Sequence, residues 1–344
     1  MARSQDTVAS QSLYRPPGVP GLYPASPGFK PAADQEAELV ISSIGISGSV
    51  ETLVGASTQC FYKVASESSI PRELFVRRVA KKRLESFRYT TSLNCWLADR
   101  GVTTNTVISE HVCLDGSGDV FAVSPYIDWR PARPDRADAG LLGKSLACLH
   151  EALSVHPDRG HWEKATRTRL NHLNEIRKEL ASGNLASSVE QEVVQALCKR
   201  SEVDFDNYDL PHAPLHGDPH SFNFLVHQDN SGVTVVDFED VFHSVFPVVF
   251  DLAVVIQRVF LIQERDDEAL TRLVNHFIAS YGIQNETELS QMKRLIPDVL
   301  RGLVLRAFCV SADCVRLGVE VPDQEWEKFL FLFRQIERRQ HVFL

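Results

Sequence analysis

The chain has no CxxC pair among its seven cysteines, no excess of positive charge and no internal repeat, and it lacks an apolar run of the roughly 18 residues that a membrane helix requires. Each absence closes off a class of protein. Cys60, Cys95, Cys113, Cys148, Cys198, Cys309 and Cys314 are scattered, which excludes a zinc ribbon, a dithiol redox motif and a dense disulfide scaffold. They suit buried thiols in a reducing compartment. A net charge of -9 speaks against a partner made of nucleic acid, which demands clustered Lys and Arg on one face. The first residues carry no apolar segment of the kind that directs secretion, so the expected location is the cytoplasm, with no membrane partner.

What is present is an ordinary globular composition, 44% hydrophobic and 24% charged, over 344 residues. Because a single core rarely grows much past about 250 residues, two cores are expected. Pro16, Pro17, Pro20, Pro24, Pro27 and Pro31 interrupt any helix or central strand, so residues 1–37 are expected to form an arm. From 38 to 127 the pattern is β-rich. Short apolar runs broken by Gly45, Gly48 and Gly55 predict strands between Glu38 and Val64. Leu74 to Val79 predicts another strand, and Arg83 to Asp99 a helix. Two more β-prone runs, Thr106 to Cys113 and Val120 to Ile127, flank the hairpin signal Asp115-Gly116-Ser117-Gly118. From 128 to 344 the periodicity is mainly helical, beginning with Leu142, Leu146, Leu149 and Leu153 on one face and continuing over 162–180 and 188–199. The fold class expected is α+β, a small antiparallel-sheet lobe followed by a larger helical one.

The chemistry concentrates in Leu215-His216-Gly217-Asp218-Pro219-His220-Ser221-Phe222-Asn223-Phe224 and in Val235-Val236-Asp237-Phe238-Glu239-Asp240. Short β runs on either side of residues 228–232 predict a hairpin whose open ends bring Asn223 and Asp237 together. Phosphoryl transfer needs a metal across the phosphate oxygens, ligands to hold it and a carboxylate to orient the attacking hydroxyl. Asp218 precedes Asn223 by five residues, the separation of the Asp and Asn in the protein-kinase catalytic loop, and Asp237 stands where that class has its second metal-binding aspartate. Asp218 is thus the candidate base, with Asn223 and Asp237 as Mg2+ ligands, since hard oxygen donors suit that ion and ATP supplies the remaining ones. As a rival, His212, His216 and His220 at spacings of four would share a helix face and bind a metal, but Pro211, Pro214 and Pro219 forbid the helix.

On HGDPHSFN, VVDFED and Phe250-Asp251-Leu252-Ala253, the chain resembles the aminoglycoside phosphotransferase and choline kinase group of kinase-like enzymes, from about residue 40 to 340. The resemblance implies a two-lobed, protein-kinase-like fold, ATP and Mg2+ as cofactors, and a small-molecule hydroxyl as acceptor. It gives His216 and Asp251 supporting roles around the catalytic loop, although Asp251 equally suits an N-cap of the apolar helix that follows. By the same resemblance Gly55 and Ser57 lie in the phosphate-covering turn, Arg78 on the next strand touches the α and β phosphates, and Ser124 and Tyr126 meet the adenine. The glutamate that would partner Arg78 falls near Thr90 in register, leaving Glu85 as the nearest candidate. The basic run Lys164 to Lys178 is interleaved with glutamates and reads as a solvated helix face. Cationic acceptors call for a carboxylate-lined pocket, for which Glu239, Asp240, Glu264, Asp266, Asp267, Asp313, Glu320 and Asp323 are available. Two other readings stay open: a nucleotide-binding pseudokinase that serves as a binding module, and a kinase acting on protein side chains.

Overall fold

The computed structural model describes residues 28–54, 61–67, 71–183, 191–200, 210, 212–264, 266–283 and 285–343. Its front lobe is one antiparallel sheet in the order β1-β2-β3-β4-β6-β5, made by β1 (Gly28–Pro31), β2 (Gly48–Val54), β3 (Phe61–Ser66), β4 (Glu73–Val79), β5 (Ser109–Val112) and β6 (Val120–Pro125). Helices α1 (Asp34–Ile44) and α2 (Leu84–Ala98) complete it. One sheet face is apolar: Val64, Leu74, Val76, Phe121 and Val123 are buried against Val40 and Ile44 of α1. The opposite face carries Phe61, Phe75, Arg77, Ala122 and Ser124, which are paired neighbours across β3, β4 and β6 and line a cleft. This is the period-two alternation of a strand, and it decides which side each basic residue of β4 occupies.

Two expectations for this lobe are corrected. Residues 28–37, assigned to the arm, form β1, which pairs with β2 through Gly28↔Val54 and Pro31↔Glu51, and the start of α1. Residues 38–44, expected in strands, are helical. Leu39-Val40-Ile41 is β-prone by residue type, but Val40 and Ile44 sit four apart on one face, and acids in the first turn favour the helix dipole. Gly45, left-handed at φ 71°, ends it by donating its N–H to the Ile41 carbonyl.

The back lobe begins with β7 (Trp129–Arg130), then α3 (Arg136–Ser154), α4 (Arg159–Ser182) and α5 (Gln191–Arg200), in agreement with the periodicity over the described residues. Short strands β8 (His212–Pro214), β9 (Phe224–His227), β10 (Val233–Val235) and β11 (Val245–Pro247) pair as β10-β9-β7 and β11-β8. Helix α6 (Val249–Val255) runs on as a π-helical segment over Ile256–Leu261, followed by α7 (Asp267–Tyr281), α8 (Glu286–Arg316) and α9 (Asp323–Arg339). Leu142, Leu146, Leu149 and Leu153 of α3 are buried in the large core with Phe277 and Ile278 of α7. No helix of the described residues is long and apolar enough to cross a membrane.

The β9–β10 hairpin is clamped to this lobe by a buried ion pair. Arg130 of β7 donates both terminal nitrogens to Asp138 of α3, at 2.6 and 2.7 Å, and Nη2 also reaches Oδ1 of Asn230 in the hairpin turn at 2.5 Å. Asp138 accepts the Arg133 N–H as well, at 2.7 Å. Removing one partner of a buried pair leaves an uncompensated charge, which costs about 3–5 kcal/mol. Asp138→Ala is therefore expected to lower stability by about that amount in urea titration, and a loss below roughly 1 kcal/mol, the ordinary level for a point substitution, would refute the clamp.

Candidate active site

Four hydrogen bonds fix the loop after β8. Asp251, fully buried in the first turn of α6, accepts the His216 N–H at 2.8 Å and the Gly217 N–H at 3.0 Å. Its Oδ2 also lies 2.9 Å from Nε2 of buried His150 on α3, whose Nδ1 meets the Tyr281 hydroxyl at 2.9 Å. Since Asp251 is the acceptor there, His150 carries its proton on Nε2 and Tyr281 donates to Nδ1. Burial, and then Asp251, pushes the Tyr281 hydroxyl well above its ordinary pKa, so it stays a donor. His216 places Nε2 2.9 Å from the Val236 carbonyl. A carbonyl can only accept, so this nitrogen is protonated and Nδ1 faces the Asp218 N–H. Asp251 is thus a brace and not the N-cap, which falls at Val248. Gly217 is required here: at φ 88° a Cβ would lie 2.5 Å from Ser244 Oγ and 2.8 Å from Asp240 Cβ.

The loop then divides two cavities. A cleft of about 430 Å³ between the lobes is walled by Phe29, Phe61, Phe75 and Phe87, with Asn223, Asp237 and Glu239 at its floor. A second cavity of about 290 Å³ lies within the helical lobe and has Gly217, Asp218 and Asp240 on its wall. As the hairpin spacing predicts, Phe224 pairs with Val235, and the Val236 N–H reaches the Asn223 carbonyl at 2.9 Å, so Asn223 and Asp237 stand at the open end together. Asn223 donates Nδ2 to the Asp218 carbonyl at 3.0 Å, leaving Oδ1 to the cleft. Burial raises the pKa of Asp237, helped by Glu239 and opposed by His216 and Arg77. A carboxylate crowded in this way by a second acid is relieved by a cation, and the amide and carboxylate oxygens are the donors that Mg2+ prefers. Among the described residues no cluster of three or more His, Cys, Asp or Glu side chains would hold a metal unaided. The pair therefore fits an ion that arrives with phosphate oxygens of its own. Asp218 remains half exposed, its Oδ2 3.5 Å from Nε2 of His220, and burial, followed by the neighbouring Arg258 against the pull of Asp218, lowers the pKa of that histidine.

Ser124 and Tyr126 line the cleft as expected, although the Tyr126 N–H is committed to the Glu73 carbonyl at 3.0 Å, so its ring is what faces a ligand. Arg78 is misassigned. Its Nε binds Asp119 at 2.8 Å and its Nη2 binds Asp115 at 2.6 Å, tying the β5–β6 turn from the far face of the sheet. Arg77 is the basic residue in the cleft, 3.6 Å from Glu239 and close to the rings of Phe61 and Phe87. Glu85 is exposed and away from the cleft, and α2 presents Thr90, Thr91 and Asn94 instead. Gly55 and Ser57 lie outside the described residues. Of the acids available for a cationic acceptor, Glu239 faces the cleft, Asp240 lines the second cavity and is paired with Arg169 and His243, and Asp313 and Asp267 are engaged by His172 and by Arg339. Asp266 caps α7. His150 was not singled out from the sequence, though it sits four residues after Leu146 on the apolar face of α3, where a histidine needs a buried partner.

A family model described as the phosphotransferase enzyme family matches residues 54–291, well over half of the chain. The chain belongs to this family and is a phosphotransferase. No curated protein sequence matches it. Among solved structures it is similar to an amicoumacin kinase in complex with AMP-PNP, Ca2+ and Ami, with a TM-score of 0.57 at 15% identity over 90% of this chain and 94% of that one. A choline kinase from Cryptosporidium parvum Iowa II gives 0.56 at 13% identity over 90% and 98%. The aminoglycoside phosphotransferase from Alicyclobacillus acidocaldarius gives 0.52 at 13% identity over 91% and 96%. At such identities the likeness establishes the fold, the protein-kinase-like two-lobed arrangement that the motifs implied.

The brace can be tested directly. Asp251→Asn keeps the shape but offers one acceptor oxygen where three donors converge, and it removes the charge that strengthens those bonds. Stability measured by urea titration is expected to fall by about 3 kcal/mol; an effect within about 0.5 kcal/mol, the level of an ordinary surface substitution, would show that Asp251 carries no such load.

Proposed function

We propose that this phosphotransferase moves the γ-phosphoryl group of ATP, with Mg2+, to a hydroxyl group of a small molecule. The observation that carries the reading is the position of the Gly217 to Asn223 loop as the partition between two cavities, with Asn223 and Asp237 on the cleft side and Asp218 on the other. Two substrates held on opposite sides of one loop meet only at its edge, which is what in-line transfer needs. The aromatic walls of the cleft suit a base and ribose, and Arg77 at its floor suits phosphate.

In this reading the nucleotide fills the cleft between Phe61, Phe75 and Tyr126, and Arg77 exchanges part of its contact with Glu239 for phosphate oxygens. Asn223 and Asp237 would hold the metal. When bound there, the metal would supply neutralisation of the charge that develops on transfer. Asp218 accepts the proton of the acceptor hydroxyl as its oxygen forms the new bond to phosphorus and ADP departs with the old bridging oxygen. His216, donating to the Val236 carbonyl, keeps Asp218 and the hairpin in register, and Asp251 keeps His216 in place.

Asp218→Asn is expected to leave ATP affinity nearly intact and to lower turnover by a factor on the order of 10² to 10⁴. Wild-type ADP release from that variant, with any acceptor, would sink the assignment. A nucleotide-binding module without turnover is the second reading, favoured by the lack of a glutamate from α2 opposite Arg77; ATP binding without ADP release across a broad hydroxyl-compound panel would establish it instead. Arg77→Ala should weaken ATP binding roughly 10- to 150-fold, as expected for loss of a charge-assisted contact, while adenosine affinity stays within about twofold. Arg78→Ala should leave both affinities unchanged. Reversal of the two arginines in a calorimetric titration would overturn the assignment of the cleft face.

A further inference from the structure

The second cavity has a charge that the reaction itself does not explain. Arg169 of α4, Arg258 of the π-helical segment and Arg306 of α8 all line it, and Lys328 of α9 lies beside it. Three carboxylates share the space, but two are already committed. Asp240 lies 2.9 Å from Arg169, 2.8 Å from His243 and 3.6 Å from Arg306. Glu325 is bound by Lys328. The third, Asp218, is the carboxylate assigned to the transferred proton. Arg258 is left over: it packs 5.6 Å from the Phe329 ring centroid, and among the described residues no carboxylate pairs with it.

A second observation comes from the residue beside it. Gln257 is buried at 3% exposure and lines the same cavity, and its Nε2 has no hydrogen-bond partner. A buried amide donor without an acceptor is costly and is retained where a ligand supplies the missing oxygen. Both residues belong to the turn that widens from α6 into π-helical geometry, an irregularity that re-aims side chains and is frequent at functional sites. The local field is correspondingly positive. Burial, reinforced by Arg306 and opposed by Asp240, pushes Arg169 down to about 10. Lys328 is likewise lowered, first by burial and further by Arg258, although Glu325 and Asp218 oppose this.

We infer that Arg258 and the Gln257 amide form a subsite for an anionic oxygen group, a carboxylate or a phosphate, on the hydroxyl compound that accepts the phosphoryl group. The inference rests on the reading of this cavity as the acceptor site. A guanidinium suits such a group because its planar fork matches two oxygens, and the neighbouring arginines repel a cationic acceptor from the same place. The volume of about 290 Å³ accommodates a compact acceptor.

The test uses the full chain and four three-carbon alcohols that differ in one terminal group: glycerate, glycerophosphate, glycerol and aminopropanediol. Calorimetry is run with Mg2+ and a non-hydrolysable ATP analogue, and ADP release is measured with ATP. Glycerate or glycerophosphate is expected to bind at least about tenfold tighter than glycerol, with aminopropanediol weakest, and whichever anion leads identifies the group. Arg258→Ala should erase the preference without moving glycerol affinity, Arg258→Lys should retain part of it, and Arg78→Ala should leave it intact. A preference for aminopropanediol, a preference untouched by Arg258→Ala, or no binding by either anion would overturn the subsite. Arg258-dependent anion binding with no ADP release in any arm would leave the subsite standing and remove the phosphoryl-transfer reading. ADP release that favours glycerol or aminopropanediol would do the reverse.

Discussion

The site depends on one buried carboxylate. Asp251 is out of reach of solvent and is matched by three donors, two of them the backbone N–H groups of His216 and Gly217. Those N–H groups belong to a loop with no helix or strand partner to satisfy them, and without Asp251 they would be buried and unpaired. His150 and Tyr281 extend the contact into α3 and α7, so that three helices of the large core converge on a single side chain. The rigidity of the core is passed to the loop through hydrogen bonds, while Asp218, one residue further on, stays half exposed and accessible. An anchored backbone carrying an accessible side chain is what positioning a reactant requires.

Alternation distributes charge between the two cavities. On β4, Arg77 and Arg78 are adjacent and point to opposite faces, one into the cleft between the lobes and one into the β5–β6 turn. In the 3-10 helix Phe238–His243 the neighbours Glu239 and Asp240 are divided in the same way, Glu239 to the cleft and Asp240 to the second cavity. The cleft that results is walled largely by aromatic rings, with a single arginine near its acids. The second cavity gathers three guanidinium groups: Asp240 is shared between Arg169 and Arg306, and Arg258 pairs with no carboxylate of the described residues. Two chemically distinct chambers thus arise from a few short segments whose side chains alternate.

Much of this arrangement was legible in the sequence, because it is encoded by short-range spacing. The gap between Asp218 and Asn223, the hairpin that returns the chain to Asp237, the turn residues at 115–118 and the leucine stripe of α3 are all local patterns, and each appears in the fold. Local pattern failed where local preference and tertiary context disagree. Leu39-Val40-Ile41 favours a strand by residue type, yet the sheet already has a strand at β2 and needs an apolar helix to cover its inner face. Pro31 reads as a breaker but is tolerated on the edge strand β1, where no ladder N–H is lost from the centre.

By itself, the sequence determined the phosphotransferase class, since the loop over 217–223 and the hairpin that returns the chain to Asp237 depend on residues a few positions apart. Only the tertiary structure decided which arginine of β4 faces the cleft, because a register shift of one residue reverses every side chain on a strand and leaves the composition unchanged. It also decided the character of the second cavity. Arg169, Arg258 and Arg306 are far apart in the chain and unremarkable where they stand, and their meeting around Asp218 follows from the packing of α4, α6 and α8 in one core. A charge cluster built from separate helices has no sequence period, so nothing short of the fold reveals it.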